Sequence, residues 1–171
     1  MLSMHGVTLH KSSKGSQMLN VRYREVKEQD IPSIAKIRAA EWGTEEYWTT
    51  RITGYLNKKL HPQKALSSRI IYVALEADII GFIAGHLTAR YECEGELEWI
   101  NVISQYRRTG IASQLVHILA KWFIKHEAYK VCVDPGNDLA REFYHKNGAT
   151  NLNKHWMMWE DIRIVLSNKS S

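Results

Sequence analysis

The feature that most constrains the fold is a strand-like segment that runs through a short basic turn directly into a long amphipathic helix. Residues 96–102 alternate in character, which is typical of a strand. Arg107, Arg108 and Gly110 form the turn, and apolar side chains then recur at helical spacing from Ile111 to roughly residue 126. The turn therefore brings positive charge to the beginning of a helix.

Such a turn is typical of a polyphosphate-binding site. The first N–H groups of a helix have no partner within the helix, and the helix dipole adds positive potential there. Gly110 lets an anion approach the main chain without a Cβ in the way, and Ala112 keeps the next contact small. Arg107 and Arg108 supply charge-assisted hydrogen bonds to phosphate oxygens. The plainer alternative is a solvent-exposed basic helix start.

Residues 137–149 predict a further helix with a recognisable beginning and end. Asn137 follows a Pro-Gly turn and is a suitable N-cap, and Gly148 follows an asparagine as a stop signal. Four apolar side chains are predicted to share one face of this helix: Leu139, Ala140, Phe143 and Tyr144.

The two segments resemble the signatures of one family. Arg107-x-x-Gly110-x-Ala112 resembles R/Q-x-x-G-x-G/A, the pyrophosphate-binding signature of the GNAT superfamily of acyl-CoA-dependent N-acyltransferases. It lacks the pattern of a P-loop and the further glycines of a dinucleotide fingerprint. Residues 137–149 are similar to the family segment N-x-x-A-x-x-F-Y-x-x-x-G-[FA] at every marked position. The resemblance covers about residues 21–164.

This resemblance implies the fold class α/β, of the mixed α+β kind. The GNAT fold has a central mixed, mostly antiparallel, splayed sheet of about seven strands flanked by about four helices. The periodicity itself predicts strands over residues 21–26, 69–74, 79–90, 131–133, 150–152 and 155–165, and one from Glu96. Helices are predicted from Ile31, from Thr44 to about residue 60, from Ile111 and from Asn137. We expect a flexible leader at residues 1–20, a single acetyltransferase domain at 21–166 and a tail at 167–171.

Composition excludes several other classes of protein. At 171 residues and 44% hydrophobic content, the chain predicts one domain that needs no disulfide or metal to fold. Cys93 and Cys132 have no metal-ligand spacing, so no metal is expected. The net charge of +5 is too small to argue for nucleic acid. No apolar run reaches the roughly 18 residues of a membrane span, and no signal peptide is evident. We therefore expect a cytoplasmic protein with neither a membrane nor a nucleic acid as its partner.

The resemblance implies that acetyl-CoA is the co-substrate. In the family, backbone groups of the strand before the turn hold the pantetheine arm, and here the N–H of Val102 would also polarise the thioester carbonyl. Asn137 would contact the same arm, although capping alone explains this residue. The residues predicted to bind the co-substrate are Val102, Ile103, Ser104, Arg107, Arg108, Thr109, Gly110, Ile111, Ala112, Asn137 and Tyr144.

Three residues are candidates for catalysis. Tyr144 would protonate the leaving thiolate, because a phenol pKa of about 10 lies above the roughly 8.5 of a thiol. Alternation places Glu96 and Glu98 on one face of the strand, opposite Leu97 and Trp99, and family members carry a general base at these positions. Of these two glutamates, we expect Glu96 rather than Glu98 to act as the general base. The alternatives are a tyrosine that belongs to the core and carboxylates that are solvated or paired with cations.

The acceptor site is harder to predict. His86 and His145 are weaker candidates, because a lone histidine on a strand is more often structural. In the family the first two helices and their connection form one wall of the acceptor site. The acidic and aromatic residues of this wall are Trp42, Glu45, Glu46, Tyr47, Trp48 and Tyr55. They suit a cationic amine, although a solvated acidic helix face explains them equally well.

The sequence therefore predicts an N-acetyltransferase that transfers an acetyl group from acetyl-CoA to a primary amine by direct attack in a ternary complex. The acceptor is a small-molecule or peptide amine, and a homodimer is compatible with the sequence. One rival is an acetyl-CoA-binding regulatory or sensor domain without catalysis, which Tyr144 and the two acids argue against. The other is a basic nucleic-acid-binding domain, which the lack of a basic helix face argues against.

Overall fold

The computed structural model of the protein describes residues 20–167. The predicted leader lies outside these residues except for Asn20, and the predicted tail lies outside them except for Ser167. The predicted domain, residues 21–166, falls within the described range. No helix in this range is both long enough and apolar enough to cross a membrane.

One mixed sheet forms the centre of the molecule. Its strands lie in the order β1-β2-β3-β4-β5-β7-β6, and every neighbouring pair is antiparallel except β4 with β5. The strands are β1 (Arg22–Glu25), β2 (Ala65–Leu75), β3 (Ile79–Thr88), β4 (Gly95–Val102), β5 (Val131–Val133), β6 (Thr150–Asn151) and β7 (Met157–Trp159).

The helices begin where the sequence supplies a proline or a capping side chain. Pro32 lies in the first turn of the first helix. Thr44 Oγ1 accepts a hydrogen bond from the N–H of Tyr47 at 3.1 Å, and Asn137 Oδ1 accepts one from the N–H of Ala140 at 2.8 Å. The helices of the described residues are α1 (Ile31–Ala39), α2 (Glu45–Leu56), α3 (Ile111–Lys125), α4 (Asp138–Lys146) and the short α5 (Ile164–Ser167).

Each face of the sheet is covered by its own helices. The buried side of α3, with Leu119 and Phe123, forms one core, and α1 and α2 form the other, which includes Ile34. Ile70 and Ile71 are neighbours on β2 yet belong to different cores. This follows because successive side chains of a strand point to opposite faces. The mixed, mostly antiparallel fold predicted from the sequence is confirmed.

The sheet opens between β4 and β5. Their parallel pairing covers only Gly95–Leu97 and Val131–Val133. In contrast, β4 stays paired with β3 as far as Val102. Beyond Leu97, one edge of β4 therefore has no strand partner, which is the splay that the sequence predicted.

A β-bulge interrupts β4 next to this opening. Ala84 pairs with Trp99 and Gly85 pairs with Leu97, so Glu98 is an extra residue without a partner on β3. The prediction that Leu97 and Trp99 share a face was wrong for this reason. Leu97 packs in the α3 core, whereas Trp99 packs in the core of α1 and α2.

Two further boundaries and one predicted helix face differ from the prediction. Residues 155–165 are not one strand, because the side chain of Asp161 accepts a hydrogen bond from the N–H of Arg163 at 3.0 Å in a turn that separates β7 from α5. The second helix ends at Leu56, where the chain turns and Lys58 adopts a φ of 60°. Leu139 is 78% exposed, since the buried side of α4 is set by Tyr144 and lies away from Leu139.

Candidate active site

The first turn of α3 is open, in contrast to the capped starts of α2 and α4. Its N-cap is Gly110, which has a φ of 86° in the left-handed region and no capping side chain. A Cβ added at Gly110 would meet no atom within 4 Å. The first N–H after this turn with a backbone acceptor is that of Gln114, which bonds to the carbonyl of Gly110 at 3.0 Å. In residues 20–167, the N–H groups from Arg108 to Ser113 have no backbone acceptor, so they remain available to a ligand at the positive end of the helix dipole.

The two arginines of the turn have different surroundings. Arg107 Nε donates to the carbonyl of Val102 at 3.2 Å, and its guanidinium pairs with Glu41 Oε1 at 2.7 Å. Arg107 therefore ties the end of β4 to the chain that follows α1. Arg108 is exposed and adopts a φ of 60°. Of the two, Arg108 is the better placed to meet an anion at the start of α3.

The end of β4 borders a large cavity. A space of about 790 Å³ is lined by all three predicted pantetheine-binding residues of this segment, Val102, Ile103 and Ser104, together with Arg107 and residues of α1. The N–H of Ile103 bonds to the carbonyl of Ile80 at 2.9 Å and is therefore not free for a ligand. Because backbone groups alternate in direction along a strand, the N–H of Val102 points away from β3. It points toward the side where β4 has lost its β5 partner.

Tyr144 is a buried residue on α4, 3% exposed. Its ring lies 5.3 Å from that of Phe143 and 5.8 Å from that of Trp159, centroid to centroid. Burial raises the pKa of the Tyr144 hydroxyl above its ordinary value. The hydroxyl thus stays protonated at neutral pH. Asn137, the other predicted site residue of this helix, caps α4 at its exposed start.

Glu96 lies inside a buried chain of hydrogen bonds. Its Oε2 is 3.0 Å from His86 Nε2, and His86 Nδ1 is 3.0 Å from the hydroxyl of Tyr55. Arg90 Nε lies 3.5 Å from the same carboxylate oxygen. Glu96 is 3% exposed and His86 is fully buried. This arrangement holds the Glu96 carboxylate in place and leaves it little access to a ligand.

Glu98, the bulged residue, lies beside this chain but faces a cavity. One side-chain ligand atom each from His86, Glu96 and Glu98 lie within 4.8 Å of one another. Glu98 lines a cavity of about 70 Å³ together with Arg51, Tyr55 and Trp99. Burial is the main cause that raises the pKa of Glu98, and the neighbouring Glu96 raises it further. A half-buried carboxylate with a raised pKa is suited to accept a proton.

Two arginines near Glu98 were missed by the sequence analysis. Arg51 lines the Glu98 cavity, and Arg38 donates to Asn101 Oδ1 on β4 at 2.8 Å. Arg38 also lies over the ring of Trp48, 4.4 Å from the centroid. The helical spacing could have indicated both arginines. Arg38 follows the buried Ile34 by one helical turn and therefore lies on the same side of α1. Arg51 likewise follows the buried Trp48 by about one turn.

The predicted acceptor wall divides into two parts. Trp48 and Tyr55 are buried in the core, so they are not available to a ligand as an open aromatic surface. Trp42 and Tyr47 are exposed, with ring centroids 5.4 Å apart. Glu46, exposed in the first turn of α2, lines an outer cavity.

The open sheet and the uncapped start of α3 together form the architecture of an acyltransferase of the GNAT type. Residues 30–149 match the family described as the Acetyltransferase (GNAT) family. The chain belongs to this GNAT acetyltransferase family. No curated protein sequence matches it at a significant level.

Solved structures show the same fold. Ard1 from Thermoplasma volcanium is 22% identical with a TM-score of 0.63, and the match covers 82% of this chain and 97% of that one. PaiA N-acetyltransferase from Thermoplasma acidophilum, in complex with coenzyme A, is 19% identical with a TM-score of 0.59, covering 82% and 98%. Glucosamine-6-phosphate N-acetyltransferase from Arabidopsis thaliana is 18% identical with a TM-score of 0.60, covering 78% and 93%. At these identities the likeness concerns the fold.

Proposed function

We propose that this protein is an acetyl-CoA-dependent N-acetyltransferase that transfers the acetyl group directly to a primary amine. The observation that carries the proposal is the open start of α3, where the N–H groups from Arg108 to Ser113 lack backbone acceptors in the described residues. A pyrophosphate group satisfies such donors and is favoured by the helix dipole. The family match and a fold neighbour in complex with coenzyme A support the same co-substrate.

The co-substrate would lie between the start of α3 and the opening of the sheet. Thr109, Gly110, Ile111 and Ala112 surround the pyrophosphate, with Arg108 as the flanking cation. The pantetheine arm follows the unpaired edge of β4. There the N–H of Val102 donates to the thioester oxygen as negative charge develops on it.

The chemistry requires one base and one acid. The amine nitrogen attacks the thioester carbon, a C–N bond forms, and the C–S bond breaks. Glu98 accepts the proton that the amine loses, and Tyr144 donates a proton to the departing sulfur. The exposure of Glu98 to a cavity favours it over Glu96, which is enclosed by His86 and Arg90. This order reverses the one expected from the sequence.

Two measurements on one preparation test this function against its rivals. Calorimetry should detect binding of acetyl-CoA and no comparable binding of duplex DNA. A thiol-release assay with a library of primary amines should then show transfer to at least one of them. Binding without transfer to any amine would instead support a regulatory domain. Binding of DNA alone would overturn the proposal.

A further inference from the structure

The cavity beside Glu98 is also lined by a positively charged residue, Arg51, which the transfer reaction itself does not need. Arg51 on α2 and Glu98 on β4 line the same cavity of about 70 Å³. The two side chains form no ion pair within the described residues, although the charge of Arg51 acts to lower the pKa of Glu98. A carboxylate and a guanidinium thus face one small space without neutralising each other directly.

From this arrangement we infer that the acyl acceptor is a small amine that carries an anionic group near the amine. The inference rests on the proposed function, since the amine must reach Glu98 for its proton to be removed. The anionic group, a carboxylate or a phosphate, would then accept charge-assisted hydrogen bonds from Arg51. A carboxylate is a planar oxyanion and a phosphate a tetrahedral one, and a guanidinium binds both well.

A second guanidinium strengthens the preference for an anion. Arg38 on the neighbouring α1 has a buried Nε without a hydrogen-bond partner in the described residues. Burial is the main cause that lowers the pKa of Arg38, and the charges of Glu41 and Glu98 act against it. Among the residues that line the Glu98 cavity, Arg51 is the one arginine and Glu98 the one carboxylate, and Arg38 adds its positive charge from outside this lining. A zwitterionic acceptor would match the opposite charges of Arg51 and Glu98, whereas a polycationic one would leave the charge of Arg51 unmatched.

The remainder of the acceptor has a defined path outward. Arg51 and Leu60 also line a second cavity of about 360 Å³, together with Glu46, Tyr47 and neighbouring residues. Leu60 is 41% exposed and Tyr47 is 43% exposed, so an apolar or aromatic body can extend over them. The acceptor would thus place its amine inward, its anion at Arg51 and its body against this outer surface.

Matched pairs of amines test the inference. The kcat/KM for acetyl transfer is measured for phenylalanine against phenethylamine, and for phosphoethanolamine against ethanolamine, with spermidine as the polycation. For at least one pair the anionic member should be favoured by about 10- to 100-fold, the value of a charge-assisted hydrogen bond. The pair that shows this preference distinguishes a carboxylate from a phosphate.

Variants of Arg51 assign the preference to this residue. Arg51→Gln should bring the ratio of kcat/KM within the favoured pair close to 1, and Arg51→Lys should restore part of it. Arg22→Gln, an exposed change on β1, is the matched control and should leave the ratio unchanged.

Two sets of results would contradict the inference. Equal use of both members of each pair, preference for spermidine, or an equal loss for both members in Arg51→Gln would overturn it while the transferase function stands. Absence of transfer to every amine tested would overturn it as well, and absence of acetyl-CoA binding in the same preparation would overturn the proposed function too.

Discussion

Glu98 and Glu96 are two positions apart on one strand, yet their surroundings predict different roles. We expect Glu98→Gln to lower kcat/KM at pH 7 by about 10²- to 10⁴-fold, the usual contribution of a general base. The base works only when ionised, and burial raises the pKa of Glu98. The acid limb of the wild-type profile should therefore lie above the ordinary range of a glutamate, and it should disappear in the variant.

Glu96→Gln is the matched comparison for this prediction. It changes the buried hydrogen bond to His86 and should reduce activity less, while keeping the shape of the pH profile. A Glu98→Gln enzyme with the wild-type profile would assign the base to another group.

The same raised pKa of Glu98 predicts a change in stability. In the window between the ordinary pKa of a glutamate and the raised folded value, the folded state holds more protons than the unfolded state, so stability falls as pH rises. Glu98→Gln removes this loss. Its Tm should exceed that of the wild type at pH 8 and approach it at low pH, where both states are protonated. A lower Tm at pH 8 would indicate that the carboxylate stabilises the fold.

Tyr144 combines a core ring with a hydroxyl that burial keeps protonated. Tyr144→Phe keeps the ring and removes only the proton donor. We expect kcat to fall by about 10²-fold, toward the low end for general acid catalysis, because a thiolate is already a fair leaving group. The KM for acetyl-CoA should change little, since the hydroxyl acts mainly in the transition state. An unchanged kcat, with chemistry shown to limit the rate, would make Tyr144 a core residue only.

At the scale of elements, α3 packs closely against the sheet near the C-terminal end of the helix. A Cβ at Gly95 on β4 would lie 2.5 Å from the buried ring of Phe123 on α3. Gly95→Ala should therefore lower the free energy of unfolding by about 1–3 kcal/mol, measured by urea denaturation. Combined with Phe123→Leu, it should cost less than on its own, because the smaller side chain makes room. Strict additivity of the two changes would contradict this contact.

The elements that the sequence predicted well are those with long, unbroken periodicity. The helix from Ile111 is present as α3, and the strand from Glu96 is present as β4, although its alternation is interrupted at Glu98. The bulge at Glu98 was not predictable, because an extra residue on one strand is defined only by its pairing with the other strand. The same bulge shifts Trp99 to the face of α1 and α2 and directs Glu98 toward the cavity.

At the scale of the whole molecule, β4 lies between two regions that different parts of the chain supply. The turn before α3 provides the open N–H groups, whereas α1 and α2 provide Arg38 and Arg51. The sequence signature identified the first region because its residues are contiguous. It missed the second because these arginines come close to Glu98 only through the packing of helices on the sheet.

If the start of α3 binds the pyrophosphate of acetyl-CoA, variants of Gly110 should change the affinity that is measured by calorimetric titration. Gly110→Asp and Gly110→Asn add side chains of the same size, aspartate and asparagine are enriched at positive φ, and a Cβ at this position would meet no atom within 4 Å. They differ in the negative charge placed where phosphate would lie. We expect the aspartate to weaken acetyl-CoA binding by at least about tenfold and clearly more than the asparagine, with an unchanged fold by circular dichroism. Wild-type affinity in Gly110→Asp would contradict it.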